Sequence, residues 1–469
     1  MNGKYKRLFS DTLLFAISNF GSKIMTFLLM PLYTYILTTG EYGTADIVTT
    51  SVNLLAPVLT LSISEATLRF ALDKKNDPGK VLCNSLLLLA AAFILVLAAT
   101  PVAYFIGGNI WTYWWCFVAV YTGVILQMCL SNYLKGCGKT KLFAIQGCLY
   151  TLVLIICNIL FLVYFKHGLY GYLYSMAVAN AVSCLFMCIT GKIFGELRHF
   201  KSDKQLLKQM ISYSAPMMLT SIAWWINASA DKYMLIGMVG VAANGLYAVA
   251  HKIPTIFSTL TGLLSQAWRI SAISNYDEAD KEEYYSNMCR YYMLVCTYAC
   301  LGITVFTQLI AKILFSADFY DAWMFVPPLL LSAVFEAYAG FLASIYAAAS
   351  KTKILSVSTC IGAAVNIVLN FILINALGIM GAPIATFTSF IVVCVVRTVL
   401  IKKHIKLTVP YGRLVTSFAL LIVGNMIYAY NVPYKYLWYI ATALTIAAIN
   451  AKDTLYLLKN ILRLFKKAK

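Results

Sequence analysis

The sequence predicts an all-α integral membrane protein of about fourteen transmembrane helices built as two related lobes. Three observations predict it. With 61% hydrophobic residues, only 12% charged residues in 469 and a mean hydropathy of +0.78, the chain is excluded from the ordinary soluble class. Apolar runs of about 20 residues, long enough to cross ~30 Å of hydrocarbon, number roughly fourteen. The third observation is a pattern written twice. Lys139, Thr140 and Lys141 recur as Lys351, Thr352 and Lys353, and Asn158 recurs in the same register as Asn370. Gly168 and Gly171 recur as Gly378 and Gly381, two residues out of step. Self-similarity at a spacing of roughly two hundred residues is the mark of a duplicated half, and in transporters built this way the substrate site lies between the halves.

The runs are centred, in order, near Phe27, Pro57, Phe93, Gly123, Ile156 and Met176, then Trp224, Phe257, Gly302, Phe335, Ile367 and Ile391, and last Leu420 and Ala443. The first continues past Pro31 with no small-residue cleavage site after a short core, so it reads as a retained span rather than a signal peptide. The first six spans occupy residues 1–200, the next six 201–408, and the last two, with a basic tail, 409–469. With the N-terminus inside, the inner segments hold Lys4, Lys6 and Arg7; Lys74, Lys75 and Lys80; Lys135, Lys139 and Lys141; and Lys192, Arg198, Lys201, Lys204 and Lys208. They continue through Lys281, Arg290, Lys351, Lys353, Lys402, Lys403 and Lys406 to the tail from Lys452 to Lys469, while the outer loops offer little beyond Lys166, Lys312 and Lys435. This asymmetry follows the positive-inside rule and places both termini in the cytoplasm.

Several function classes drop out. The formal charge of +19 is topology plus attraction to anionic lipid, and nucleic acid is not a partner. Most of the thirteen cysteines, such as Cys157, Cys184, Cys188, Cys296, Cys300 and Cys394, fall inside apolar spans as small hydrophobes, with no zinc spacing and no disulfide framework. Gly136 to Thr140 ends like a phosphate-binding loop, but the first glycine of that motif would fall at Tyr133, and a span precedes it instead of a strand. The longest inner connections, about residues 192–210 and 269–287, suit a surface helix and not a catalytic domain. Outer loops of a few residues cannot build a glycosyltransferase site, so no enzyme and no organic cofactor are expected.

What remains is a small set of ionisable residues at membrane depth, where each charge costs about 2.5–3.5 kcal/mol unless paired or hydrated. Lys23 lies about 13 residues into the first span, roughly 20 Å at 1.5 Å per residue. Lys252 on the eighth span, beside His251, is comparably deep. Asp231 and Lys232 sit in the outer half of the seventh span, Glu336 near the middle of the tenth, and Asp46 in the outer part of the second. Arg69 and Arg269 end the second and eighth spans, and Glu65 precedes Arg69 by four residues, the favourable order on a helix. Each has a plainer reading beside the functional one: a solvated step for Asp231 and Lys232, an interhelical ion pair for Lys23 and Lys252, positive-inside anchors for Arg69 and Arg269, a helix contact for His251. Under the duplication Gly43 corresponds to Gly245, so the spans that carry these residues are equivalent pairs. They are expected to line one central cleft of cationic cast, with Lys23, Arg69, Lys232, Lys252 and Arg269 set against Asp46, Glu65 and Asp231. Such a cleft selects anions, a diphosphate best.

At these residues the chain resembles a known family. The run from Pro31 through Tyr42, Gly43 and Asp46 to Arg69, and the later segment Asp231, Lys232, Asn244, Gly245, Leu246, Tyr247, His251, Lys252 and Ile253, are similar to the lobe openings of bacterial polysaccharide exporters, the O-antigen and capsule repeat-unit flippases. The resemblance implies two pseudo-symmetric six-helix lobes in a V plus two C-terminal helices, as in the superfamily that also holds multidrug extrusion transporters and lipid II flippases. It implies as substrate an undecaprenyl-diphosphate-linked oligosaccharide, moved between leaflets of the bacterial cytoplasmic membrane, with membrane lipids and other polysaccharide assembly proteins as partners. The physics fits: a hydrated path carries sugar and diphosphate while the polyprenyl tail stays in lipid. Asp46, Asp231, Glu336 and His251 are the candidates for coupling to a proton or sodium gradient, and no metal site is expected. A cation antiporter on the same fold is the alternative, and the sign of the cavity separates the two.

Overall fold

The computed structural model describes residues 27–459 except 74, 198–201, 277, 279, 350, 403, 404, 406 and 458, and every regular element in that range is helical. Lys23 lies outside the described residues. The chain forms two compact units, Met1–Ala230 and Asp231–Lys469.

In unit 1, α1 (Met30–Ile36) opens with Pro31 in its first turn, where a missing amide costs nothing. α2 (Thr39–Leu59) starts in a capping box: the Glu41 amide donates to Thr38 Oγ1 at 3.2 Å and the Thr38 amide donates to Glu41 Oε2 at 2.9 Å. Two residues after Pro57's turn the helix fails. Leu61 and Ser62 take left-handed conformations, with φ of +50° and +53°, and α3 (Ile63–Leu72) leaves at 57° to α2. A left-handed leucine or serine costs roughly 1–2 kcal/mol, so packing has to hold it. The Ser62 amide donates back to the Pro57 carbonyl at 2.8 Å, and Asn132 Nδ2 of α6 (Gly108–Gly136) donates to the Ser64 carbonyl at 2.9 Å.

α4 (Pro78–Ala98) and α5 (Thr100–Ile106) continue one another across a single apolar stretch, Pro78–Ile106. α7 (Thr140–Asn158) passes into a π-helical turn, Ile159–Tyr164, and α8 (Gly168–Thr190) returns to pack on both α6 and α7. The core of unit 1 gathers Val120, Tyr121, Ile125 and Cys129 of α6 with Ile63 and Ala66 of α3 and Val81 of α4. After the short α9 (Ile193–Leu197), Asp203 starts α10 (Lys204–Met238) and pins it to α4. Its Oδ1 accepts from the Gln205 and Leu206 amides at 3.0 and 3.1 Å, its Oδ2 takes the Lys80 ammonium at 3.3 Å, and the buried Asn84 holds its backbone from both sides. The Leu206 amide and the Lys80 ammonium hold the Asp203 carboxyl below the usual carboxylate range.

Unit 2 is built on α14 (Val326–Ala348), 83% buried over its apolar window, with α12 (Lys252–Ser274), α13 (Lys281–Leu314), α16 (Gly381–Ile401) and α17 (Tyr411–Ala429) around it. α11 (Val241–Ala250) precedes α12, and α15 (Thr352–Leu377) packs on α16. A buried arginine ties three of these helices. Arg397 of α16 donates to the Ala339 carbonyl of α14 at 2.7 Å and to Ser358 and Thr359 of α15 at 2.9 and 3.0 Å. α17 and α18 (Lys435–Ile449) are bolted along α13. Thr304 donates to Asn425 at 2.8 Å, the Tyr428 hydroxyl to the Val305 carbonyl at 3.1 Å, Tyr298 bonds Thr454 at 2.7 Å, and Arg290 meets Asp453 at 3.4 Å. At the other end Lys435 donates to Asn431 at 2.7 Å while its ammonium stands 4.4 Å from the Trp323 ring centroid and 4.9 Å from that of Tyr428.

The duplication is structural as well as sequential. Lys139 and Lys351 each precede a helix, and their amides close the same turn, donating to the Leu134 carbonyl at 2.8 Å and the Tyr346 carbonyl at 2.9 Å. Asn158 and Asn370 are both fully buried, and Gly168 and Gly378 both hold positive φ, +53° and +59°. Gly171 and Gly381 let the following helix approach the preceding backbone. A Cβ on Gly171 would stand 2.9 Å from the Phe161 carbonyl oxygen, and one on Gly381 would overlap the Leu373 carbonyl outright. Gly381→Ala is therefore expected to cost about 3 kcal/mol, near the upper end for overpacking. Thermal unfolding of the detergent-solubilised variant checks it.

Among the described residues eight helices are long and apolar enough to span a membrane, or nine if the bent α2–α3 pair is one span, with two shorter apolar helices, Val241–Ala250 and Lys435–Ile449. α10 and the α11–α12 pair fall outside the eight because polar side chains interrupt them. Those are the segments that carry Asp231, Lys232, His251 and Lys252.

Candidate functional site

The bent second span places the unit 1 residues. Asp46 sits half-buried on α2, Glu65 half-buried on α3, and Arg69 exposed in the last turn of α3, where the helix dipole favours a cation. Glu65 and Arg69 are four residues apart yet form no ion pair; among the described residues Arg69 has no ionic partner. Glu65 instead lies within electrostatic reach of Lys135, in the last turn of α6.

In unit 2 the carboxylate of Asp231 is buried, with only 4% of the residue exposed. This differs from a solvated step at an outer interface. A buried carboxylate needs donors. The Tyr247 hydroxyl of α11 donates to Asp231 Oδ2 in a short hydrogen bond, and the Lys232 amide donates to Oδ1 at 2.9 Å. Tyr247 and Asn244 are themselves fully buried. One turn on, the His251 ring stands edge-on to Tyr247, centroids 5.6 Å apart at 73°. Asp231, Tyr247 and His251 thus make one contiguous chain, and Lys252, half-buried, begins the next helix. Lys232 is half-buried and Arg269, further along α12, is exposed. Glu336 is the exposed residue on an otherwise buried stretch of α14, near Tyr292 of α13, whose hydroxyl bonds Ser265 of α12 at 3.0 Å.

The sequence marks Asp231 and His251 as candidate site residues, whereas Tyr247, which joins them, enters only as part of the segment that carries the family resemblance. Its only local signal is the spacing of Tyr247 and His251, four residues apart on one face. Arg397 was also missed, because as the last basic residue of its span it looks like an inner-surface anchor. Among the described residues no three His, Cys, Asp or Glu side chains gather as a metal site.

A family model described as "Polysaccharide biosynthesis protein" matches residues 8–268, more than half of the chain. An uncharacterised membrane protein of Methanocaldococcus jannaschii, MJ1375, is 23% identical over 424 residues, 85% of this chain and 99% of that one. A probable low-salt glycan biosynthesis flippase of Haloferax volcanii, Agl15, is 24% identical over 214 residues, 44% of each chain. The lipid II flippase MurJ in an inward closed conformation superposes with a TM-score of 0.70 at 14% identity, covering 94% of this chain and 100% of that one. A multidrug resistance MATE family transporter of the MOP superfamily, inward-facing, superposes with a TM-score of 0.67 at 15% identity, covering 86% and 96%. At those identities the superpositions show the fold. The family match shows more: this chain, a multi-pass helical membrane protein that shares the fold of these transporters, belongs to the polysaccharide biosynthesis protein family.

Proposed function

We propose that this protein moves an undecaprenyl-diphosphate-linked oligosaccharide from the inner to the outer leaflet of a bacterial cytoplasmic membrane, by alternating access, for a surface polysaccharide such as O-antigen, lipopolysaccharide or capsule. In this reading both termini are cytoplasmic, and other assembly proteins supply and consume the lipid-linked unit. One observation carries it. Arg69, Lys252 and Arg269 stand exposed or half-exposed on the equivalent helix pairs of the two units, with no ionic partner among the described residues. Cations left unpaired at membrane depth are costly unless they are hydrated or meet an anion, and a hydrated path for an anionic cargo supplies both. Within each unit such cations, together with Lys23 of the first and Lys232 of the second, are candidate diphosphate ligands, ammonium point charges alongside guanidinium forks. The names of the relatives, a glycan biosynthesis flippase and a lipid II flippase, support a lipid-linked sugar as the class of cargo. Asp46, Asp231, Glu336 and His251 are the candidate links to a proton or sodium gradient.

The test is flipping of a fluorescent undecaprenyl-diphosphate oligosaccharide in proteoliposomes, with Lys23→Ala, Lys252→Ala and Arg269→Ala beside wild type. Each alanine variant is expected to fall at least roughly tenfold, the equivalent of one charge-assisted hydrogen bond. Export of cationic dyes without any movement of lipid diphosphate would instead establish a cation antiporter.

A further inference from the structure

One cation breaks the duplication. In the register that sets Lys351 on Lys139, Lys135 falls on Ala347 and Phe143 falls on Leu355. An ammonium and the ring that seats it therefore occur in unit 1 without counterparts in unit 2. The surrounding geometry is tightly specified. Asn132 Nδ2 donates to the Ser64 carbonyl at 2.9 Å, and a Cβ on Gly136 would stand 3.1 Å from the Leu68 carbonyl oxygen. Positions 132, 135 and 136 share one helical face, so that face of α6 is locked onto α3 and Lys135 is carried to the same seam. Its Nζ stands 4.8 Å from the Phe143 ring centroid and within electrostatic reach of Glu65.

A lysine near the end of a span ordinarily extends its ammonium outward to the headgroups. Lys135 is half-buried and turned inward, whereas nearby Lys141 is exposed. One turn beyond Glu65, Arg69 is exposed and lacks an ionic partner among the described residues. Two cations therefore lie on or beside α3 near one carboxylate that is ion-paired to neither. The surplus charge suits a polyvalent anion, which would meet a point-charge ammonium on one side and a planar fork on the other.

We infer that Lys135 and Arg69 form a receiving subsite for the diphosphate at the α3–α6 end of unit 1, with Glu65 as the resting counter-ion of Lys135. The inference rests on the lipid-diphosphate reading above and adds to it a ligand on the fourth span. Phe143 keeps Nζ in place, and the arriving diphosphate takes over from Glu65 as its counter-charge. Because unit 2 has alanine and leucine at the matching positions, this reception belongs to one unit.

The test titrates the fluorescent undecaprenyl-diphosphate oligosaccharide against flipping rate for wild type, Lys135→Met, Lys135→Arg, Phe143→Leu and the double variant Lys135→Met with Glu65→Gln. Lys135→Met is expected to raise the half-saturating concentration about tenfold with less change in maximal rate. Lys135→Arg should keep most of the affinity, and Phe143→Leu should give a smaller shift in the same direction. Removing Glu65 as well should not restore it. Recovery of wild-type half-saturation in the double variant would overturn the inference, because Lys135 would then only neutralise Glu65. An unchanged Lys135→Met would overturn it too. A wild-type protein that moves no lipid diphosphate at all would remove the lipid-diphosphate reading itself, and this subsite with it.

Discussion

Arg397→Ala is expected to lower stability by about 3 kcal/mol, within the range for truncating a large buried side chain. The source of that loss can be separated into charge and volume. Ser358 and Thr359, which accept from the guanidinium, each also donate to the Leu355 carbonyl, at 3.0 and 2.8 Å. Ala339 lies inside a helix. None of the three loses its last partner when the arginine goes, so the main cost is the hole between α14, α15 and α16. The buried cation meanwhile carries a desolvation penalty of several kcal/mol with no carboxylate partner among the described residues to offset it. Arg397→Met, which fills much of the space without the charge, should therefore cost less than about 1.5 kcal/mol. Unit 1 supplies a precedent: in the register that sets Gly381 on Gly171, Arg397 falls on Met187, which is fully buried in an apolar cluster with Leu130, Tyr133 and Leu134. Thermal unfolding in detergent distinguishes the cases. A methionine variant as unstable as the alanine variant would show that the charged hydrogen bonds, not the volume, hold these helices.

Asp231→Asn should slow translocation by roughly ten- to a hundredfold, the rate equivalent of the ~1.5–3 kcal/mol carried by a charge-assisted hydrogen bond. The substitution keeps the shape, its oxygen can still accept from the Lys232 amide, and the Tyr247 hydroxyl can turn to accept from the new amide nitrogen, so the folded yield should stay close to wild type. What changes is the charge. The carboxylate is buried against a tyrosine hydroxyl and a backbone amide. If it is the group that exchanges a proton or sodium ion between states, asparagine should also abolish acceleration by an imposed ion gradient. Proteoliposomes with and without that gradient read this directly. An Asp231→Asn protein that still responds to the gradient like wild type would move the coupling role to Asp46, Glu336 or His251.

The helical class, the membrane setting and the duplicated halves were legible because each is written in patterns that need no tertiary contact to interpret. Apolar length marks a span, and Lys139–Thr140–Lys141 with its copy marks a repeat whose turns prove to close in the same way. The bend after α2 was not legible. Pro57 hinted at it, but Leu61 and Ser62 are not residues that advertise left-handed backbone. At the candidate site the sequence identified charges by their depth and could not assign partners. Glu65 and Arg69 have ideal spacing for a pair, yet the structure sets Glu65 near Lys135 on another helix. Asp231 finds its donor sixteen positions away, across a helix break that no local periodicity encodes. Partner choice is a property of packing, and periodicity reports only which face a residue occupies.

The row of polar contacts along α13 has a consequence for how the protein is made. Thr304, Tyr298 and Arg290 find their partners in Asn425, Thr454 and Asp453, which the ribosome delivers more than a hundred residues later. Until then the hydroxyls of Thr304 and Tyr298, with Arg290 toward the inner end of α13, lack the partners the folded unit gives them. That face of α13 is therefore completed only when the final hairpin joins it, which makes the last two helices part of the unit's polar bookkeeping.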